Sequence, residues 1–260
     1  MRQRESAAKR KQYLFVVEEL VSREIKRKYS RSRLGILWSV LNPLLSMSVL
    51  SLVFSTMFRK SIEHYPVYYL TGFIIWNFFT TATNTAMTAL VDNKLLLLQV
   101  RLPKAVFPIS RVYAAFVNFL FSMIAYLIIL AVFRIPVKSP VLFFPVIVAL
   151  VFLFALGVSY MLSILYAFFG DIRHLYSVIL TLWMYLSALF YPVELLPEIM
   201  QRAILFNPVY NFIAGARSCI LYGEFPDAAA CARMTAWGLG TYFIGWYIFK
   251  KSQNRIMQKL

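Results

Sequence analysis

Apolar residues run in six long stretches along the chain, and polar residues gather in the segments between them. The stretches cover Ile36 to Phe58, Pro66 to Val91, Ala105 to Phe133, Val141 to Phe169, Leu175 to Tyr191 and Met234 to Phe249. Each is near the roughly 20 residues that a helix needs to cross a hydrocarbon core. The pattern predicts an all-α integral membrane protein with six transmembrane helices. Ahead of the first stretch, Leu14, Val17, Val21, Ile25 and Lys28 recur at three- to four-residue spacing, with Glu18, Glu19, Ser22, Arg23, Lys26 and Arg27 between them. That spacing predicts an amphipathic helix at the membrane surface, its basic residues toward lipid headgroups. It is either a simple anchor or also a contact for a cytoplasmic partner. The chain thus divides into a basic arm, residues 1–35, and a six-span domain, residues 36–260.

One connector breaks the rhythm. Between Tyr191 and Arg233 the chain is too apolar for a solvated loop, with Leu195, Leu196, Ile199, Met200, Phe206 and Phe212. It is also interrupted by Pro192, Pro197, Pro208 and Pro226, so no run reaches spanning length. A pair of short helices over about 192–213, dipping into the membrane and returning before the last span, fits better than two further spans. Such backbone survives only against protein or a water-lined cavity.

Charge sets the expected orientation. Basic residues crowd the arm at Arg2, Arg4, Lys9, Arg10, Lys11, Arg23, Lys26, Arg27, Lys28, Arg31 and Arg33. With six spans, Lys94, Arg101, Lys104, Arg111, Arg173 and the C-terminal lysines fall on the same side. The opposite connectors hold fewer, and those are offset by Glu63, Glu194, Glu198, Glu224 and Asp227. Positive residues mark the cytoplasm, so both termini are expected there. The net charge of +16 is therefore an orientation signal and requires no nucleic acid. Hydrophobic residues make up 60% of the chain, which excludes a soluble monomer. No cleavable signal peptide is expected, because the leader and the first apolar run are both too long. Cys219 and Cys231 read as two buried thiols rather than a disulfide, and no spacing supports a metal site.

Several spans carry a polar face. Asn77, Thr81, Asn84 and Thr88 fall at helical spacing in the second, Asn42 lies in the first, and Thr181 and Tyr185 lie in the fifth. Polar side chains in lipid need partners, so these faces meet other helices or line a passage. Uncharged amides, hydroxyls and rings suit a sugar-like cargo. No span holds a carboxylate near its midpoint, where a carrier driven by protons or sodium usually keeps one. The phosphate-loop pattern and the common hydrolase motifs are also missing, so the chain is not an ATPase of that kind, and if it moves something the energy is expected from outside the chain.

Particular residues then carry a resemblance. They are Glu24-Ile25-Lys26-Arg27-Lys28-Tyr29, Leu34-Gly35-Ile36-Leu37-Trp38-Ser39, Leu41-Asn42-Pro43-Leu44 and Gly72-Phe73-Ile74-Ile75-Trp76-Asn77. They continue with Val100-Arg101-Leu102-Pro103-Lys104, Phe169-Gly170-Asp171-Ile172-Arg173 and Phe206-Asn207-Pro208-Val209-Tyr210, followed by Arg217. In this order the chain is similar to the permease subunits of ABC exporters for O-antigen, teichoic acid and capsular polysaccharide.

The resemblance implies a half-transporter. Two copies and two separate ATP-binding subunits would form the exporter, with ATP and magnesium held by the partner and no cofactor in this chain. The cargo would be a polymer on undecaprenyl pyrophosphate, recognised at the basic membrane edge by Arg27, Lys28, Arg31 and Arg33. Asp171 and Arg173 would couple to the ATPase, Arg101 and Lys104 would do so or would meet the lipid pyrophosphate, and Tyr191, Pro192, Glu194 and Asn207 would form an outer gate. A permease for a small molecule shares this plan and is the alternative.

Overall fold

The computed structural model describes residues 2–30, 32–55, 62–99 and 102–259, with side chains from Phe15 onward save 254 and 256–259. Every regular element among them is helical. In chain order these are α1 (Arg2–Tyr29), α2 (Leu37–Phe54), α3 (Tyr65–Met87), α4 (Ala89–Asp92), α5 (Lys94–Gln99) and α6 (Val106–Val132). They are followed by α7 (Phe144–Phe168), α8 (Ile172–Tyr185), α9 (Glu198–Ile204), α10 (Pro208–Arg217) and α11 (Ala228–Lys259). Among the described residues, three helices are long and apolar enough to cross a membrane: α2, α6, and α7 with the 3-10 turn leading into it. The 23-residue α3 and 32-residue α11 have the length with a more mixed composition.

α3 occupies the middle and is buried on almost every side, packed between α6, α7 and α10. An interlocked ring cluster fixes that centre: Phe79 lies 5.3 Å from both Phe154 and Trp183, and Phe154 lies 5.6 Å from Phe212. Offset and edge-on geometries of this kind add to the area term. By contrast, α2 and α8 expose apolar rows, Leu45, Val49 and Leu52 on one, Leu175, Val178 and Leu182 on the other.

α7 and α11 form the most extensive helix pair. Their backbones cross at two glycines. A Cβ on Gly245 would stand 2.2 Å from the Gly157 carbonyl oxygen, and one on Gly157 would stand 2.4 Å from the Thr241 carbonyl oxygen. Small residues at a crossing allow this approach, and dispersion between the backbones is the return.

α2 contains Pro43 in its second turn. Proline has no N–H, so the Ser39 carbonyl loses its partner within the helix. Ser122 of α6 replaces it, donating from Oγ to the Ser39 oxygen at 2.9 Å. Ser122→Ala is expected to destabilise the protein by about 1–2 kcal/mol. In a Pro43→Ala background, where the helix can repair itself, the loss should shrink. Thermal unfolding of the four proteins tests this, and equal losses in both backgrounds would count against the pairing.

The fifth apolar stretch requires a correction. Leu175 to Tyr191 is not one continuous helix, because α8 ends at Tyr185 and spans only 14 residues. The chain then turns, and Ala188 takes a left-handed φ of 47°. What makes this possible is a set of distant side chains, described below.

Candidate functional site

Two polar places stand out against the apolar bundle. The first is a chamber where α1 crosses α2, α3 and α6. Its larger part has a volume of about 440 Å³ and its smaller about 310 Å³. The two share Lys28, Thr81, Ala115 and Asn118. Two clasps hold α1 across it. At the α1 terminus, the Tyr29 hydroxyl donates to Asn118 Oδ1 at 2.6 Å and also pairs with the Ser39 hydroxyl. One turn and a half earlier, Glu24 Oε2 meets Arg111 Nη1 at 2.7 Å. The other nitrogen of that guanidinium reaches Asp92 Oδ2 at 3.0 Å, and Thr88 donates to the same oxygen at 2.8 Å. Arg23 adds a bond to Asn93. The arm is thus tied to α4 and α6 through charge.

Arg111 is 5% exposed, and the Glu24 side chain 9%. A buried pair of this kind contributes little beyond an apolar substitute, but removing one partner strands the other. Arg111→Leu should therefore cost about 3–5 kcal/mol. Reduced thermal stability, together with release of the arm to limited proteolysis, is the expected readout. Unchanged protease protection of residues 15–30 would contradict it.

The second place lies beyond the end of α8. From Tyr185 to Tyr191 the backbone leaves the helix, yet its carbonyls find side-chain donors. Tyr185 oxygen accepts from Tyr191 at 2.7 Å, Leu186 from Asn207 at 2.9 Å, Phe190 from Tyr65 at 3.0 Å and Tyr191 from Tyr68 at 2.9 Å. Arg217, 3% exposed, serves Ala188 at 2.9 Å, Leu189 at 3.0 Å and Tyr68 at 3.3 Å. Its guanidinium carbon stands 3.4 Å from the centroid of the Tyr68 ring. Gly72 makes room, since a Cβ there would meet Arg217 Nη2 at 3.0 Å. A broken helix in an apolar setting is tolerable only with such substitutes for the lost ladder.

Asn207 fastens the same break from the other side. Its Oδ1 caps α10, accepting from the N–H of Val209 at 3.0 Å and Tyr210 at 3.3 Å, and also accepts from Trp183 at 2.9 Å. Its amide nitrogen donates to Leu186 and to the Ser187 hydroxyl. Asn207→Ala is expected to lower stability by about 1–2 kcal/mol, the range of a lost cap with further bonds. Thermal unfolding checks it.

The residues expected to matter from sequence fall as follows. Asn42, Asn77 and Thr81 come together on the chamber wall, and Arg27 and Lys28 line its smaller part. Arg33 is exposed on the linker after α1, and Arg31 and Arg101 lie outside the described residues. Asn84 is exposed and Thr88 belongs to the Asp92 clasp, while Thr181 and Tyr185 are exposed on α8, away from the chamber. Lys104 donates to the Gln253 carbonyl of α11 at 2.5 Å, and partial burial lowers its pKa. Asp171 and Arg173 are exposed where α8 begins. Tyr191 and Asn207 belong to the break, Pro192 is buried next to it, and Glu194 is exposed. Both cysteines are free thiols. Sequence reasoning missed the roles of Glu24, Asn118 and the buried Arg217. The one available signal was Arg111, a cation inside an apolar run, which demands a partner.

A bundle of apolar helices enclosing a polar chamber at one end and a side-chain-stapled break at the other defines a helical membrane protein with a polar interior. The chain belongs to the ABC-2 type transporter family, whose profile matches residues 16–221. It is 31% identical to an O-antigen export system permease protein of Myxococcus xanthus, over 89% of this chain and 92% of that one. It is 29% identical to one from Klebsiella pneumoniae, over 95% and 96%. A polysialic acid transport protein of Escherichia coli is 22% identical over 93% and 95%.

Proposed function

We propose that this chain is the membrane subunit of an ATP-driven exporter of a surface polysaccharide. The observation that carries the reading is the likeness to O-antigen export permeases along nearly the whole length of both partners. In this reading α2, α3, α6, α7, α8 with the break, and α11 are six spans, and both termini are cytoplasmic. α9 and α10 form the re-entrant pair on the outer side. Two copies meet through the apolar rows of α2 and α8, and a passage for the glycan runs between them. The cargo is carried on undecaprenyl pyrophosphate, and its charged end stays near the basic arm.

Energy comes from two copies of a separate ATP-binding subunit docked on the cytoplasmic side, which bind magnesium and hydrolyse ATP. Short charged elements transmit its motion: α5 with Lys104, and the turn before α8 with Asp171 and Arg173. The Glu24–Arg111–Asp92 clasp supports this role, because it makes the arm, α4 and α6 move together. Deleting the gene should leave a lipid-linked polymer accumulating in the cytoplasm, with the surface polymer lost. A normal surface polymer in the deletion strain would refute the reading.

A further inference from the structure

We propose that the chamber between α1, α2, α3 and α6 is a saccharide subsite contained within a single chain. It would hold a hydroxyl-rich sugar unit of the polymer apart from the passage between two copies. The inference rests on the exporter reading above and adds where one chain grips the glycan.

Size comes first. Parts of about 440 and 310 Å³ fall within the range of pockets that hold small ligands, on the order of 300–1,000 Å³. The wall chemistry then selects among occupants. The side-chain amides of Asn42 and Asn77 line the larger part and have no hydrogen-bond partner among the described residues. An amide offers both donors and acceptors, as a sugar hydroxyl does. Trp38, exposed beside them, has a ring suited to the C–H face of a pyranose, while the buried Phe78 and Phe119 close the apolar part of the wall.

The carboxylate gives a second, independent sign. Glu24 lines the smaller part, and its Oε2 is taken by Arg111. Its Oε1 is buried and accepts no hydrogen bond among the described residues, with Arg23 Nη2 3.9 Å away as an ion-pair partner. A buried carboxylate oxygen without a donor is costly, and a hydroxyl group in the chamber would supply one.

A phosphate fits less well. The Arg111 guanidinium is already divided between Glu24 and Asp92, and Arg27 stands 3.5 Å from Glu24. The Glu24 carboxylate on the wall would repel an anion. Among the described wall residues, Lys28 is the cation without a carboxylate partner, and it is exposed. An acyl chain would leave the amides of Asn42 and Asn77 unsolvated.

The test uses the full chain co-purified with its ATP-binding partner in lipid nanodiscs. The probe is the host's surface polysaccharide, released from its lipid by mild acid and titrated calorimetrically. The double variant Asn42→Leu/Asn77→Leu should weaken binding about tenfold or more, and the near-isosteric Thr81→Val about threefold. Thr81→Val preserves the shape of the wall and decides the matter alone should the double variant fail to fold. Native affinity in Thr81→Val overturns the subsite. A native chain that binds no released glycan overturns it too. If the deletion strain nevertheless accumulates the polymer, the exporter reading survives that failure.

Discussion

Replacing Arg217 by leucine is expected to lower stability by about 4 kcal/mol, enough to remove most folded protein from the membrane. The reason is the number of groups that depend on one side chain. Its guanidinium serves the carbonyls of Tyr68, Ala188 and Leu189 and covers the Tyr68 ring. Losing it strands the Ala188 and Leu189 carbonyls in an apolar interior and removes the support for the left-handed Ala188, a conformation that persists only where its surroundings impose it. Lysine keeps the charge but cannot spread its donors in the planar fork that three carbonyls require. Arg217→Lys should therefore recover only part of the loss. The measurement is thermal unfolding of the purified variants in matched nanodiscs. A leucine variant that melts with the native protein would mean that the break after α8 is held by other means.

The second large effect is expected at the α7–α11 crossing. Gly245→Leu should cost about 3 kcal/mol or more, because the obstacle is backbone and not a side chain that can swing away. Its Cβ would stand 2.2 Å from the Gly157 oxygen, so the helices have to separate along their most extensive contact. Gly240→Ala, a glycine on the same helix whose added Cβ meets nothing within 4 Å, is the control and should be near neutral. Comparable losses at both positions would count against the crossing as the cause, since alanine and leucine both favour a helix more than glycine does.

The helices themselves were legible in sequence because burial in an apolar medium writes itself locally, as runs of side chains with one character. α2, α3, α6, α7 and α11 begin and end within a few residues of the apolar stretches, or extend past them in polar sequence. The interruption after Tyr185 was not legible. Ser187, Ala188 and Leu189 contain no breaker, and their non-helical backbone depends on Tyr65, Tyr68 and Arg217, which lie far away in the chain. The prolines of the following segment did mark where α9 and α10 begin, since Pro197 precedes α9 and Pro208 opens α10.

The same contrast holds for the polar sites. Asn77 and Thr81 could be read as one face of a helix, and that face does line the chamber. Thr181 and Tyr185 had the same spacing, yet α8 turns them to a different surface. Periodicity tells which residues share a face but not what the face meets. In the sequence Glu24 stands out only as the first residue of a motif string, and only the tertiary fold pairs it with Arg111.

The exporter reading is tested most directly in inverted membrane vesicles that contain this chain and its ATP-binding partner. Lipid-linked polymer labelled on its glycan is presented from the outside, which corresponds to the cytoplasm. The account predicts that label becomes resistant to added glycan-degrading enzyme only when ATP is supplied. It also predicts that resistance disappears in vesicles lacking this chain. ATP-independent protection, or equal protection without the chain, would contradict it.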